Sequence, residues 1–282
     1  MQIFTKNQRQ WKVKPLTEEA VQTWFQHQKE TGITDVVTHD SYLINLASPK
    51  PEAREKSINL FLEELTRCET LGIPTLVTHP GAHMGEGEAA GLKRVATAFD
   101  EIHKQLPGLK VRTALEVTEG QGTCLGHRFE HLATIIDLVK DPDRLVICLD
   151  TAHMIAAGYD LTSGNGAKSV LQQLDDIVGL DRVQAVHMND SKVPRGKRVD
   201  RHEHIGHGFV SLDAFKVIVN EPKFRNIPKI LETAKEDNDQ GVPWDTINLA
   251  TLQGLVKKKS KKASSQKANS RTSKPTKKLK RK

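Results

Sequence analysis

The chain has 282 residues, 37% of them hydrophobic, and a formal net charge of +7. No apolar run approaches the roughly 18 residues that a membrane span requires, which excludes a membrane protein, and three widely spaced cysteines without a CxxC pair argue against a disulfide framework. The basic charge is concentrated at one end, because residues 257–282 hold 13 of the 42 lysines and arginines and no acidic residue. Residues 1–256 are therefore acidic overall, with 29 basic and 35 acidic side chains.

The basic segment 257–282 contains almost no apolar residues. It cannot bury enough surface to offset the entropy of ordering, so we predict a disordered tail after a folded domain of residues 1–256. Its clusters KKKSKK and KKLKRK indicate a nuclear localisation signal read by import receptors. A solubilising tail and a non-specific nucleic-acid-binding arm are the alternatives.

Predicted strands and helices alternate along residues 1–256. The first helix has clear end signals, since Thr17 is a good N-cap and Gly32 a good stop. The predicted strands are, in order, QIFTK, DVVTHD, TLVTHPG, VRTALEV, LVICLD, VQAVHMND and KILETA. Apolar residues at helical spacing predict helices over about 18–31, 58–71, 91–106, 129–139, 169–178, 212–220 and 246–256. This alternation calls for an α/β fold with a parallel sheet.

Six of the seven predicted strands carry a histidine, aspartate or glutamate at or near their carboxyl end. These residues are His39, His79, Glu116, Asp150, His187 and Glu232. Any one of them alone is more simply explained as a structural residue. A (β/α) barrel brings the carboxyl ends of all its strands to one face, whereas the outer strands of an open sheet lie too far apart to share a site. The pattern therefore favours a barrel and places one shared site on it.

Three further residues extend this set of candidate ligands. His153 stands three residues after Asp150, and Asp200 and His202 lie two apart in RVDRHE. Nine nitrogen and oxygen ligands without a thiolate are typical of a multinuclear zinc or manganese site of the open, catalytic kind. Such a cluster suits phosphoryl chemistry, because the ions clamp attacking and leaving oxygens.

Ten segments resemble the endonuclease IV family of apurinic/apyrimidinic (AP) endonucleases, in its fungal style with a basic tail. They are FTKNQRQW, HDSYLINL, RCETLGI, THPGAH, GQGTCLG, CLDTAH, AAGYDL, VHMNDSK, RVDRHE and ILET. The resemblance implies a TIM (β/α)8-type barrel of the endonuclease IV and xylose isomerase-like kind. It also implies a zinc-dependent enzyme that cleaves double-stranded DNA 5′ to abasic sites in base-excision repair, with a 3′-phosphodiesterase activity.

The resemblance distributes the nine candidate ligands over three zinc ions, with Mn²⁺ as an alternative at one site. The three sets are His39 and His79 with bridging Glu116; Asp150, His187 and Glu232 with Glu116; and His153, Asp200 and His202. Glu116 and Glu232 are the implied catalytic residues, and Glu232 is expected to orient the attacking water.

Two loops resemble the DNA-insertion elements of the family. Arg9 in KNQRQW, together with Tyr42 and Leu43 in HDSYLINL, is expected to enter the minor groove and help extrude the abasic nucleotide. Arg and apolar wedges stabilise bent, unstacked DNA, and an abasic site costs less to flip than a paired base. The alternative is that Tyr42 and Leu43 are packed loop residues.

The chain departs from the family in two ways. Family members place a strand and a helix before the equivalent of Ile3, so we expect this barrel to lack its first strand and helix. In LEVTEGQG, Val117 and Glu119 stand where the family usually has Asn and Ala. The extra carboxylate is expected to disturb phosphate binding through like-charge repulsion.

These departures keep two other functions open. One is a catalytically impaired protein that binds damaged DNA, and the other is a metal-dependent sugar isomerase, since related barrels use similar ligands. For the leading function we expect a monomer without membrane contact, located in the nucleus, with the mitochondrion as the alternative compartment.

Overall fold

A computed structural model describes residues 1–257, in which strands and helices alternate. The strands are β1 (Gln2–Ile3), β2 (Val37–His39), β3 (Thr75–Thr78), β4 (Arg112–Glu116), β5 (Leu145–Asp150), β6 (Val183–His187), β7 (Asp190–Ser191), β8 (His202–Glu203) and β9 (Lys229–Ile230). The helices are α1 (Glu18–Thr31), α2 (Pro51–Thr70), α3 (Glu88–Gln105), α4 (Phe129–Leu138), α5 (Thr151–Ala157), α6 (Gly164–Ile177), α7 (Leu212–Val219) and α8 (Trp244–Leu255). Except for Lys257, the predicted disordered tail and its localisation signal lie outside the described residues.

Seven strands form one parallel sheet in the order β1, β2, β3, β4, β5, β6 and β9. Its two edge strands approach each other. This is shown by the Gln2 side chain in β1, which hydrogen-bonds His187 at the end of β6 and Glu232 just after β9. The sheet is thus a nearly closed barrel, as predicted, and an open doubly wound sheet is excluded. All six residues of β5 are buried, which explains its apolar sequence, since parallel strands are covered on both faces.

The apolar core has two parts. The larger part fills the space between the sheet and the surrounding helices and includes Phe61, Phe99 and Cys68. The smaller part lies inside the barrel and takes residues from six strands: Val37, Val77, Ala114, Val146, Cys148, Ala185 and Ile230. This inner layer is the floor on which the strand-end polar residues stand.

Two features of the fold were not predicted. Helix α5 follows β5 directly, and Asp150 caps it by accepting a hydrogen bond from the His153 backbone N–H at 2.8 Å. With seven residues, α5 is too short to show helical periodicity. The antiparallel pair β7–β8 joins two segments that are extended for only two residues each.

In the part of the chain that the structure describes, no helix is both long enough and apolar enough to cross a bilayer.

Replacing Phe99 with alanine tests the core between sheet and helices. Phe99 is fully buried, and its ring meets that of Phe61 edge-on with centroids 5.8 Å apart. We expect Phe99→Ala to lower the free energy of unfolding by about 3–5 kcal/mol, because it removes apolar burial and leaves a cavity. Urea denaturation measures this change. Leu138→Ala, at a half-exposed position of α4, should change it by less than about 1 kcal/mol, and equal losses would contradict the assignment.

Candidate metal centre

The six strand-end residues share one position relative to the barrel interior. Each stands two residues after an apolar residue of the inner layer, and side chains two apart lie on the same face of a strand. The pairs are Val37 and His39, Val77 and His79, Ala114 and Glu116, Cys148 and Asp150, Ala185 and His187, and Ile230 and Glu232. The rule that packs the barrel interior therefore also brings the six polar groups together above it.

The first group contains His39, His79 and Glu116, whose ligand atoms all lie within 4.8 Å of one another. The Nε2 atoms of the two histidines are 3.0 and 3.1 Å from Glu116 Oε2. The other ring nitrogen of His39 lies 3.0 Å from the backbone carbonyl of Asp40. Donation of Nδ1–H to that carbonyl directs Nε2 into the cluster.

The second group contains Glu116, Asp150, His187 and Glu232, again within 4.8 Å. Nδ1 of His187 is 2.9 Å from Glu116 Oε1 and 3.1 Å from Glu232 Oε2. Glu116 thus presents one oxygen to each of the first two groups, the arrangement that a bridging ligand requires. Asp150 and His187 are fully buried, whereas the Glu232 side chain is 24% exposed.

The third group brings His153, Asp200 and His202 together. Asp200 Oδ1 lies 3.5 Å from Nε2 of His153 and 3.2 Å from Nε2 of His202, and Asp150 also approaches these two histidines. Both Nε2 atoms are buried without a hydrogen-bond partner. Buried polar atoms normally have partners, so two unpartnered imidazole nitrogens beside a carboxylate fit a site for a cation.

The charges of the cluster compensate one another. Burial acts to raise the pKa of Glu116, but the surrounding histidines, His187 and His79 first, hold it well below its usual value. Burial acts to lower the pKa of His39, but hydrogen bonds to Asp40 and Glu116 hold it well above its usual value. Against the opposing effect of burial, the nearby imidazoles, His153 first, lower the pKa of Asp200 to about 2.

The cluster opens into a cavity of about 180 Å³. Seven of the nine predicted ligands line this cavity: His39, His79, Glu116, His153, Asp200, His202 and Glu232. Tyr42 also lines it, with its side chain largely exposed. The structure therefore brings all nine predicted ligands to one place, seven at the cavity wall and two beneath it.

Three supporting residues were missed by the sequence analysis. Asn189 donates to Asp150 Oδ2 at 2.6 Å and to Glu232 Oε2 at 3.2 Å. Asp190, fully buried, accepts backbone hydrogen bonds from four residues, three of them in the segment that follows His202. Gln2 bridges His187 and Glu232. For Asn189 and Asp190, the available signal was this pair of polar residues after Met188 in VHMND.

Within residues 1–257, two other sets of side chains contain possible ligands. Cys148 lies beside Glu116 and His187, but burial raises the pKa of its thiol to about 11, which favours the protonated form. The other set is Glu88, His127 and His131, in which Glu88 contacts both histidines but also pairs with the Arg128 guanidinium at 2.7 Å. Its negative charge is already neutralised, so it is a structural link between α3 and α4.

The predicted DNA-insertion loops lie beside the cavity. The Tyr42 ring centroid is 6.2 Å from those of His39 and Phe4, Leu43 is half-buried, and Arg9 is exposed. The two loops are joined by a hydrogen bond of 2.6 Å from Ser41 Oγ to the carbonyl of Gln8. The structure thus places Tyr42 beside the cluster and ties the loop of Arg9 to the loop of Tyr42 and Leu43, and the contact of these three side chains with DNA stays a prediction.

The chain matches known proteins along almost its whole described length. Residues 1–254 match the family described as xylose isomerase-like TIM barrel. The probable endonuclease 4 of Chloroflexus aurantiacus is 50% identical over 256 residues, covering 91% of this chain and 89% of the relative. The probable endonuclease 4 of Geobacter sulfurreducens is 45% identical over 262 residues, covering 93% and 88%.

Solved structures with the same fold superpose on most of the chain. The crystal structure of endonuclease IV from Thermus thermophilus superposes with a TM-score of 0.77 at 31% identity, covering 90% of this chain and 87% of that one. A D-tagatose 3-epimerase-like protein superposes with a TM-score of 0.63 at 19% identity, covering 85% of this chain and 84% of that one, which shows the fold alone.

Binding of divalent ions should release protons. Burial acts to lower the pKa values of His39, His153 and His187, but neighbouring groups hold them well above the usual value: carboxylates beside His39 and His153, and the Cys148 sulfur, Glu232 and Glu116 beside His187. These rings therefore hold a proton more strongly than a free imidazole does, and a protonated ring must lose that proton to become a ligand.

We expect the affinity for Zn²⁺ to fall as the pH is lowered. Titration calorimetry in two buffers of different ionisation enthalpy measures the protons released. Binding without proton release would contradict this account of the cluster.

Proposed function

Because this chain belongs to the endonuclease 4 family of xylose isomerase-like TIM barrels, we propose that it is a zinc-dependent AP endonuclease. It hydrolyses the phosphodiester 5′ to abasic sites in duplex DNA and removes blocked 3′ ends by the same chemistry. The observation that carries this proposal is the convergence of five imidazoles and four carboxylates in three groups at one cavity.

The donor set fits zinc. It offers nitrogen and oxygen ligands, two of the imidazole nitrogens are buried without partners, and zinc accepts mixed sets of this kind. Three ions are proposed, held by the three groups described above, with Mn²⁺ as the alternative at one of them. When bound, such ions lower the pKa of a water and stabilise negative charge on phosphoryl oxygens.

Glu232 is the residue best placed to orient the attacking water. It belongs to the second group, yet it faces the cavity, unlike the fully buried Asp150. Its position is fixed from two sides, because Asn189 bonds both its backbone and its side chain and Gln2 donates to its other oxygen at 2.5 Å. Glu232 is thus held at the cavity wall, where it can accept a hydrogen bond from a water.

A basic segment that leads into the third group suits a DNA backbone. The segment 192–201, which ends beside His202, exposes five basic side chains: Lys192, Arg195, Lys197, Arg198 and Arg201. Basic side chains on one face contact phosphates and set the register of a protein on DNA. Arg9 and the exposed Tyr42 then supply the wedge that opens the duplex at the abasic site.

We also propose that the basic segment 257–282 directs the protein to the nucleus through import receptors. Its charge supports this assignment, and the mitochondrion remains the alternative compartment. The active protein is proposed to be a monomer, because one chain supplies all nine ligands.

Incision of a duplex oligonucleotide with one abasic site tests the proposed function. We expect cleavage 5′ to the site that leaves a 3′ hydroxyl, is lost after chelation and returns with Zn²⁺. Binding without cleavage would contradict the proposal in favour of a damaged-DNA-binding protein. Turnover of a free sugar but not of DNA would favour a sugar isomerase.

Glu232→Gln tests the role of Glu232. We expect kcat for incision to fall by about 10²–10⁴-fold, because the amide no longer accepts a proton or orients the water as the carboxylate does. Ion content and thermal stability are measured in parallel to separate this role from folding. Glu130→Gln, on the exposed side of α4, should incise normally, and an equally active Glu232→Gln would remove Glu232 from the mechanism.

A further inference from the structure

Glu119 is a buried carboxylate that the nine ligands do not include. Its side chain is 8% exposed, and its Oε2 lies 3.9 Å from Nε2 of His153. Within residues 1–257, His153 is the one basic side chain within ion-pair distance of it. A buried carboxylate is costly unless a cation or several hydrogen bonds compensate it, so the position of Glu119 calls for positive charge beside His153.

The ring of His153 is oriented so that Nε2 faces this carboxylate. Its Nδ1 lies 3.1 Å from the carbonyl of Val117, to which it donates. Nε2 is buried and has no hydrogen-bond partner. Two carboxylate oxygens approach it, Glu119 Oε2 at 3.9 Å and Asp200 Oδ1 at 3.5 Å.

The separations within the third group suit the ligands of one ion. Zinc bonds of about 2.0–2.2 Å in a tetrahedral site place the ligand atoms about 3.3–3.6 Å apart. In the third group the separations from Asp200 Oδ1 are 3.2 and 3.5 Å. The 3.9 Å between Glu119 and His153 exceeds this range by about 0.3–0.6 Å, and Glu119 must also move towards His202 and Asp200 when it joins the ligands of the ion.

One turn holds the Glu119 carboxylate and contacts the backbone of Asp200. The backbone N–H of Gln121 donates to Glu119 Oε1 at 3.2 Å, while the Gln121 side-chain oxygen accepts from the Asp200 N–H at 3.4 Å. Gly120, between Glu119 and Gln121 in the chain, has φ +78°, and a Cβ there would lie 2.8 Å from the His127 ring. Only glycine fits this turn, so the backbone leaves Glu119 Oε2 directed at the third group.

We propose that Glu119 is a fourth protein ligand of the ion held by His153, Asp200 and His202. The proposal rests on the metal-dependent function argued above. Three protein ligands leave a zinc ion open to water or substrate, whereas four close a tetrahedral site. The third ion is then retained more firmly than one held by three ligands. The sequence alone predicts that the charge of Glu119 repels the substrate phosphate. In this proposal the bound ion neutralises that charge instead.

Release of zinc to a chromophoric chelator tests this proposal. The wild-type protein is loaded with zinc, its ion content is measured, and release is compared with that of Glu119→Gln and Glu119→Ala. Glutamine keeps the hydrogen bond from Gln121 through its amide oxygen, so this variant preserves the turn. Glu236→Gln is the matched control, because Glu236 Oε1 lies 3.6 Å from His204 Nε2 outside the cluster.

We expect both Glu119 variants to release one of three ions about 10-fold faster or more. The release rates of the other two ions, and of all ions in the Glu236→Gln control, should equal those of the wild type. A second measurement uses Co²⁺, whose visible absorption reports coordination number. Its spectrum should change for one ion in the Glu119 variants and not in Glu236→Gln.

Identical release and identical Co²⁺ spectra in wild type and Glu119→Gln would overturn the proposal. In that case, normal metal-dependent incision by the wild type would leave the proposed function intact. A wild-type protein that binds no zinc would instead overturn both. Thermal unfolding of the ion-free proteins shows whether a variant has lost its fold. The Glu119→Gln and Glu119→Ala variants must give the same result in the zinc-release and Co²⁺ measurements.

Discussion

The negative charge of Glu116 is the constraint on which the candidate site depends. This carboxylate is 1% exposed, and four imidazoles surround it: Oε2 faces His39 and His79, and Oε1 faces His153 and His187. A buried charge without a partner costs several kcal/mol, so positive charge must occupy this centre. In the ion-free protein the raised pKa values of His39, His153 and His187 favour protons there, and divalent ions would take the place of these protons on binding.

The barrel produces this arrangement through the two-residue period of its strands. A small inward apolar residue, such as Ala114 or Ala185, is followed two positions later by a ligand, Glu116 or His187. The inner apolar layer excludes water beneath the cluster, so its electrostatic interactions act in a low dielectric. Function and core packing therefore use the same inward faces of the strands, which is why the site cannot be separated from the fold.

Much of this was predictable from the sequence. The order of strands and helices, the barrel and the convergence of the six strand-end ligands follow from local patterns, because each strand ends where its apolar run meets a polar residue. Helix α1 has the predicted bounds since Thr17 and Gly32 cap it as expected. Helix α5 was missed because its seven residues are too few to show a period.

The supporting contacts were not predictable, because they join segments that are far apart in the chain. Gln2 and Glu232 are 230 residues apart yet hydrogen-bonded. Asp190 lies in the motif VHMNDSK, but only the folded chain shows that its carboxylate accepts hydrogen bonds from backbone N–H groups within residues 206–210. The approach of Glu119 to His153 likewise depends on how the turn at Gly120 packs against His127. Such contacts leave no periodic signal in the sequence.

X-ray diffraction at the zinc absorption edge, from crystals of the zinc-loaded protein, shows directly whether ions occupy the three groups. We expect three anomalous peaks. One lies between His39, His79 and Glu116, one beside Asp150, His187 and Glu232, and one between His153, Asp200 and His202, each about 2.0–2.2 Å from its ligand atoms. Peaks confined to other places, or an absence of peaks at this cavity, would contradict this expectation.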